Sequence, residues 1–202
     1  MRLGALRPLV LASASTARAR LLTAAGIAVR IEPAAIDESE IKSAYRRNGE
    51  DARACAVALA EAKASAVALN NINTLIIGAD QMLSCEDKWY DKPRDSAEAR
   101  RQLEELRGQS HELFSAVAVV LDGAVLWRHV ERARLTMRRF SDAYLNDYVA
   151  AMGQALTGTV GGYALEGLGV QLFDKIEGDY FSILGLPLLP LLKFLRGRGA
   201  VP

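Results

Sequence analysis

Only two cysteines and two histidines occur in the 202 residues of this chain. Cys55 and Cys85 have no metal-ligand spacing and are too few for a disulfide framework, which suits a reducing cytoplasm. His111 and His129 alone cannot furnish a zinc cluster, and a histidine-based triad has little material. Charge of neither sign dominates: Lys and Arg number 25, Asp and Glu 24. The basic residues are spread out and not interleaved with aromatics, so no nucleic-acid or membrane partner is implied. No apolar run approaches the ~18 residues of a membrane span. Neither Gly-x-Gly-x-x-Gly nor Gly-x-x-x-x-Gly-Lys-Ser/Thr is present, which removes the Rossmann and Walker nucleotide sites. Half of the residues are apolar, enough at this length to bury a sizeable core in one domain over 1–202.

What is there begins with Ile76-Ile77-Gly78-Ala79-Asp80-Gln81. Apolar β-branched runs of this kind read as buried strands, and ligands of open α/β sheets bind beyond strand carboxyl ends. A carboxylate where the strand gives out can hold a metal or take a proton from water; it can equally cap or turn the chain. Upstream, a strand at about 8–12 runs into Ser13-Ala14-Ser15-Thr16 and a helix bearing Arg18, Arg20, Leu21 and Leu22. Ser15 or Thr16 is a natural N-cap, the helix start is a ready anion site, and the arginines can fork onto phosphate oxygens. An ordinary capped helix with solvated arginines fits the same residues. Asp91-Lys92-Pro93 follows a hairpin with a polar turn at 84–90, and the proline biases Lys92 to an extended backbone suited to a phosphate clamp or a plain surface lysine. The passage Gly158 to Gly169 allows close backbone approach to a ligand, and Glu166 within it could read a base edge or simply face solvent.

The order of these segments resembles the Maf family of nucleoside triphosphate pyrophosphatases, from about Leu9 to Leu195. Leu-Ala-Ser-Ala-Ser-x-x-Arg-x-x-Leu-Leu at 11–22 looks like its opening signature. Ile36-Asp37-Glu38, Glu61-Ala62-Lys63-Ala64, Gly78-Ala79-Asp80, Lys92-Pro93, Leu106-Arg107-Gly108-Gln109-Ser110-His111 and Gly185-Leu186-Pro187-Leu188 follow in family order. The resemblance implies hydrolysis between the α and β phosphates to a monophosphate and pyrophosphate. It implies Asp80 as the catalytic acid that activates water, Arg18, Lys63 and Lys92 as phosphate contacts, and Ser13 with Ser15 as the strand-to-helix turn. Glu38 matches an acidic residue tied to metal and activity. A divalent ion on Asp80 and Glu38 would lower the pKa of bound water and bridge phosphates, and oxygen ligands point to magnesium or manganese.

Three positions separate the uridine and thymidine triphosphate branch of that family from its 7-methyl-GTP branch, and here they are Ala17, Gln81 and Glu166. Gln81 and Glu166 look like the 7-methyl-GTP branch. A glutamate accepts from N1–H and the exocyclic amine while facing a positively charged base. Ala17 departs from both branches, which leaves a pyrimidine-preferring or broad enzyme as the alternative. A nucleotide-binding inhibitor of septum formation and an RNA-binding protein are further function classes. The water-activating Asp80 speaks against the first and the neutral charge against the second. The resemblance also points to a symmetric dimer, and the cysteine usage to a cytoplasmic protein.

Residues 1–14 have the basic start, apolar stretch and Ala-x-Ala-like end of a signal peptide, but Arg7-Pro8 interrupts the stretch and cleavage would destroy the phosphate turn. The remaining pattern alternates strands and helices. Strands are expected at 29–31, leading to an Asp37-Glu38 loop, and at 74–79, 112–121, 125–137 and 170–176. Helices are expected at 51–70, with Cys55, Leu59, Ala62, Ala66 and Leu69 as its apolar stripe, and at 96–107 behind a Ser96 cap, 141–152 and 186–196. Asp122-Gly123 is a hairpin turn, so the sheet of this α/β chain is mixed. The resemblance adds that the sheet is elongated, flanked by helices, with two lobes around a cleft.

Overall fold

The computed structural model describes residues 8–202; the first half of the signal-like segment, residues 1–7, lies outside the described residues. Among the described residues the chain is α/β with seven strands, in the order β2 (Arg30–Ile31), β1 (Leu9–Leu11), β3 (Leu75–Cys85), β5 (Ser110–Leu121), β6 (Ala124–Met137), β7 (Phe173–Glu177), with β4 (Lys88–Tyr90) pairing with β3. It divides into two compact units. Three long strands contribute to both: β3 (Leu75–Cys85), β5 (Ser110–Leu121) and β6 (Ala124–Met137).

The first unit comprises the described residues up to Gln81, with 114–131 and 179–202. Its strand β1 (Leu9–Leu11) pairs in parallel with β2 (Arg30–Ile31) on one side and with Leu75, Ile76 and Ile77 of β3 on the other. Helices α1 (Thr16–Ala24), α2 (Glu38–Arg47), α3 (Ala52–Ala68), α6 (Tyr180–Ile183) and α7 (Leu188–Gly197) complete it. Alternation along the strands sorts their side chains to two faces. Leu9, Leu11, Leu75, Ile77 and Ala79 join a core with Leu22, Leu191 and Leu195. Val10, Ala12 and Ile76 join a second core with Ala64, Val67 and Ala68 of α3.

Helix α3 and strand β3 approach so closely that only a glycine fits at 78. A Cβ there would lie 2.1 Å from the carbonyl oxygen of Ala60 and 2.8 Å from the Ala64 nitrogen. The buried face of α3 is Cys55, Ala56, Leu59, Ala60, Lys63, Ala64 and Val67. This differs from the expected stripe: Ala62 and Ala66 are at the flank and Leu69, which follows the helix, is 81% exposed. Small residues face the sheet because the close approach excludes larger ones, so leucine positions alone misplace the face.

The second unit comprises 82–113 and 132–178. It contains the rest of β3, its antiparallel hairpin partner β4 (Lys88–Tyr90), α4 (Ser96–Leu106), α5 (Asp142–Met152) and β7 (Phe173–Glu177), which pairs antiparallel with β6. The β5–β6 turn has positive φ at both Asp122 and Gly123, as a two-residue hairpin requires. Four further expectations need correction. Asp37 starts α2 rather than a loop, its carboxylate accepting from the Ser39 and Glu40 N–H groups. Asp95, not Ser96, caps α4 through the Glu98 N–H. The strand expected at 170–176 begins only at Phe173, because 168–172 winds into a short tight helix. Helix α6, capped by Asp179, precedes the terminal helix, which starts at Leu188 behind Pro187.

Candidate active site

Asp80 does not end its strand: β3 runs five residues further, to Cys85. What ends is the neighbour. The last β1 residue paired with β3 is Leu11, opposite Ile77. Asp80 therefore emerges beyond the carboxyl end of β1 while its own strand continues, which keeps it on rigid backbone. It shares a face with Ile76 and Gly78, the face covered by α3, and is 6% exposed.

Lys63 on α3 meets it there. The ammonium donates to Asp80 Oδ1 at 2.6 Å and lies 2.7 Å from Glu38 Oε1 at the start of α2. One buried cation thus joins two carboxylates from separate elements. Lys42, one turn along α2, sits 3.9 Å from the other Glu38 oxygen. Burial pushes the Glu38 carboxyl up, but the hydrogen bond and charge of Lys63, with Lys42 and Arg18, outweigh it and hold Glu38 below its ordinary value.

The turn after β1 stands against the same strand. Ser15 caps α1, accepting from the Arg18 N–H. Ser13 Oγ accepts from the Ser15 N–H at 3.3 Å and from Arg18 Nη1 at 2.9 Å, which leaves its own proton to donate. The sequence offers Arg18 as a fork that grips phosphate oxygens or as an arginine standing in solvent. Its guanidinium is instead buried, with Nη1 also donating to the Ala79 carbonyl at 2.9 Å and Nε to the Gly185 carbonyl at 2.8 Å. Burial pushes its pKa down, opposed by the charges of Asp80 and Glu38, and a guanidinium stays protonated throughout. Arg20 is exposed, and Ala17 is half-buried on the first turn of α1.

Gln81 follows Asp80 and so points to the opposite face of the sheet. Its amide nitrogen donates among Ser115 Oγ (2.8 Å), the Ser182 carbonyl (3.1 Å) and the Ile183 carbonyl (3.0 Å). Ser115 Oγ in turn donates to the Ser182 carbonyl at 2.6 Å. The amide donors of Gln81, a position expected to separate the substrate branches, are committed to the end of α6. Isolated serines in a strand and in a four-residue helix carry no pattern, so Ser115 and Ser182 are not legible in the sequence.

Lys92 and Glu166 belong to the second unit, and both are exposed. The segment before Lys92 is anchored by Gln102 of α4, whose side-chain nitrogen donates to the Asp91 carbonyl at 3.0 Å. The glycine-rich passage around Glu166 is not a plain loop. It folds into short tight-helical turns and is pinned by Tyr148, donating to the Gly162 carbonyl, and by Tyr163, which shares a 2.7 Å hydrogen bond with His111 Nε2.

A family model described as Maf-like protein matches residues 8–198. The chain belongs to the Maf family. Among its relatives is a nucleoside triphosphate pyrophosphatase of Granulibacter bethesdensis, 50% identical over 193 residues, covering 96% of this chain and 98% of the relative. A protein of Paramagnetospirillum magneticum with the same description is 50% identical over 190 residues, covering 94% and 98%. A 7-methyl-GTP pyrophosphatase of Rhizobium meliloti is 47% identical over 193 residues, covering 96% and 97%. Among the described residues of this Maf chain no helix is long and apolar enough to cross a membrane.

As donors for a divalent ion, Asp80 and Glu38 supply two hard carboxylates, and no group of three or more His, Cys, Asp or Glu that could hold an ion occurs among the described residues. Two carboxylates with the remaining positions left to phosphate and water is the ordinary pattern for magnesium. The donor set fits such an ion only as part of a nucleotide complex.

Proposed function

We propose that this chain hydrolyses nucleoside triphosphates between the α and β phosphates, releasing pyrophosphate, with 7-methyl-GTP preferred. The observation that carries the reaction is the Asp80–Lys63–Glu38 cluster, with Asp80 and Lys63 buried, beside the Ser13–Arg18 turn. Phosphoryl transfer asks mainly for positioning and for neutralising charge on phosphate oxygens. Asp80 accepts a proton from, and orients, the attacking water. Lys63, the Ser13 hydroxyl and the first-turn N–H groups of α1 receive the phosphates, and Lys92 keeps the phosphate role that its Lys-Pro motif implies. Glu38 and Asp80 would hold magnesium or manganese, which when bound lowers the pKa of water and offsets phosphate charge.

The base preference rests on Glu166, an exposed carboxylate suited to a cationic guanine, and on the relatives that bear the 7-methyl-GTP name. Ala17 favours a wider tolerance, because its methyl fills little of any neighbouring pocket. Gln81 contributes by holding α6, and so the Gly185 turn that follows it, rather than through its own amide donors. Such an enzyme clears modified nucleotides from a cytoplasmic pool.

Pyrophosphate release from 7-methyl-GTP, GTP, UTP, dTTP and CTP with magnesium or manganese tests the reading. Release is expected chiefly from 7-methyl-GTP, and Asp80→Asn should abolish it while nucleotide affinity stays within a few fold. Pyrimidine release above 7-methyl-GTP release overturns the preference. Asp80→Asn retaining a tenth of the rate overturns Asp80 as the base.

A further inference from the structure

We propose that Lys63 is a resident counter-cation that holds the Asp80 and Glu38 carboxylates in the absence of nucleotide, and that a divalent ion gains them only when phosphate draws the ammonium away. The proposal rests on the carboxylate pair as the metal ligands proposed above. Its basis is one nitrogen serving both: Nζ stands 2.6 Å from Asp80 Oδ1 and 2.7 Å from Glu38 Oε1. An ion coordinating that same pair of oxygens would claim the space Nζ fills. Two cations in contact with the same oxygens repel one another, most strongly on the buried Asp80 side of the site.

Lys63 is suited to exchange its partners and Arg18 is not. A lysine is a point charge on a flexible four-carbon stem, and both partners of Lys63 are carboxylates that a metal would also satisfy. Arg18 is locked by three directional bonds to Ser13, Ala79 and Gly185, which no ion could replace. Triphosphate oxygens offer the lysine an equivalent anionic partner. Phosphate binding therefore unlocks the metal ligands, and metal without nucleotide is disfavoured. Before substrate arrives, the same contact keeps two carboxylates of separate elements together, which their mutual repulsion would otherwise oppose.

Manganese titration of the chelator-treated full chain, read by electron paramagnetic resonance or calorimetry, tests this without turnover. Wild type is expected to bind Mn²⁺ weakly alone. Lys63→Met should bind it at least tenfold more tightly, and adding Asp80→Asn should remove the gain. Lys63→Arg, which keeps the charge, should remain weak. An α,β-methylene triphosphate should raise the Mn²⁺ affinity of wild type well above that of Asp80→Asn treated alike, which subtracts metal held by the nucleotide itself. Affinity of Lys63→Met within twofold of wild type overturns the proposal, as does tight binding by wild type without the analogue; the latter leaves the metal site standing. If Lys63→Met does not fold, Lys63→Gln takes its place. If that also fails, the wild-type pair of titrations decides. No Mn²⁺ affinity attributable to Asp80 in any arm overturns the metal reading and this proposal with it.

Discussion

Arg18 and Lys63 are both cations with under a tenth of their surface exposed, and their partners separate their tasks. Lys63 faces only carboxylates among its hydrogen-bonded and ion-paired partners here, whereas Arg18 donates to two backbone carbonyls and a serine. The Arg18 bonds tie the turn after β1, the backbone immediately before Asp80 and the turn before α7 into one piece. Lysine at 18 has no planar fork to reach all three, so buried carbonyls would lose their donors. Arg18→Lys should cost about 1–3 kcal/mol in urea denaturation, the usual penalty for such groups. Its kcat should fall more than its KM rises, because Asp80 loses its support. Unchanged stability with a raised KM would instead make Arg18 a phosphate ligand that acts from the open. The resemblance identified this residue, but its burial was not legible: the sequence shows a guanidinium on a helix and not the carbonyls that close around it.

At the scale of elements, the site depends on how near α3 comes to β3. Alanine occupies every second position of α3 from Ala52 to Ala68, so alanine alone cannot mark a helical face. Gly78 supplies the other half of the contact. Gly78→Ala sets a methyl 2.1 Å from the Ala60 oxygen, and helix and strand must separate. The expected loss is at or above about 3 kcal/mol, the upper end for overpacking, read as a lower midpoint in thermal or urea unfolding. Because Lys63 and Asp80 sit on the two separated elements, any folded fraction should also lose activity. A variant as stable and active as the parent would show that the approach is dispensable. The alternation of strands and helices was legible, since apolar runs, caps and the Asp122-Gly123 turn each announce themselves locally. Asp37 with Glu40 three residues on is a start signal for α2, but the same acidic segment also fits a chemical role in a loop, and the local pattern does not separate the two. Helix α6 is too short for any periodicity. The continuation of β3 through Asp80 depends on pairing with β4 and β5, which no local pattern encodes.

Across the whole molecule the two units differ in the polar groups they bury. The first buries the charged groups Arg18, Lys63 and Asp80. The second buries a neutral cluster: His111, 1% exposed, sits against Tyr163 and Phe173, and its Nδ1 has no hydrogen-bond partner among the described residues. Burial pushes the His111 pKa from its ordinary 6.5 to about 4 and raises that of Tyr163. The folded chain then binds fewer protons at this residue than the unfolded chain, so stability rises with pH through that window. The contribution is complete above about 6.5, declines as pH falls, and is gone below about 4, for a total of about 3 kcal/mol. Glu38, Glu98, Glu105 and Glu177, all held below their ordinary value of 4.5, also lose stabilisation on acidification, but mainly below that value. The interval from 6.5 to 4.5 therefore isolates the histidine. His111→Asn keeps a group able to bond Tyr163 and removes the titration. Urea midpoints measured from pH 7 to 4.5 should fall steeply for the parent and stay nearly level for the variant, even where the variant is less stable at pH 7. Parallel slopes in the two proteins would show that His111 is protonated in the folded state. The same variant bears on the glycine-rich passage, because Tyr163 lies three residues before Glu166. If the tyrosine bond holds that passage in place, His111→Asn should leave UTP turnover nearly unchanged at pH 7, and His111→Ala should lower turnover of 7-methyl-GTP relative to UTP.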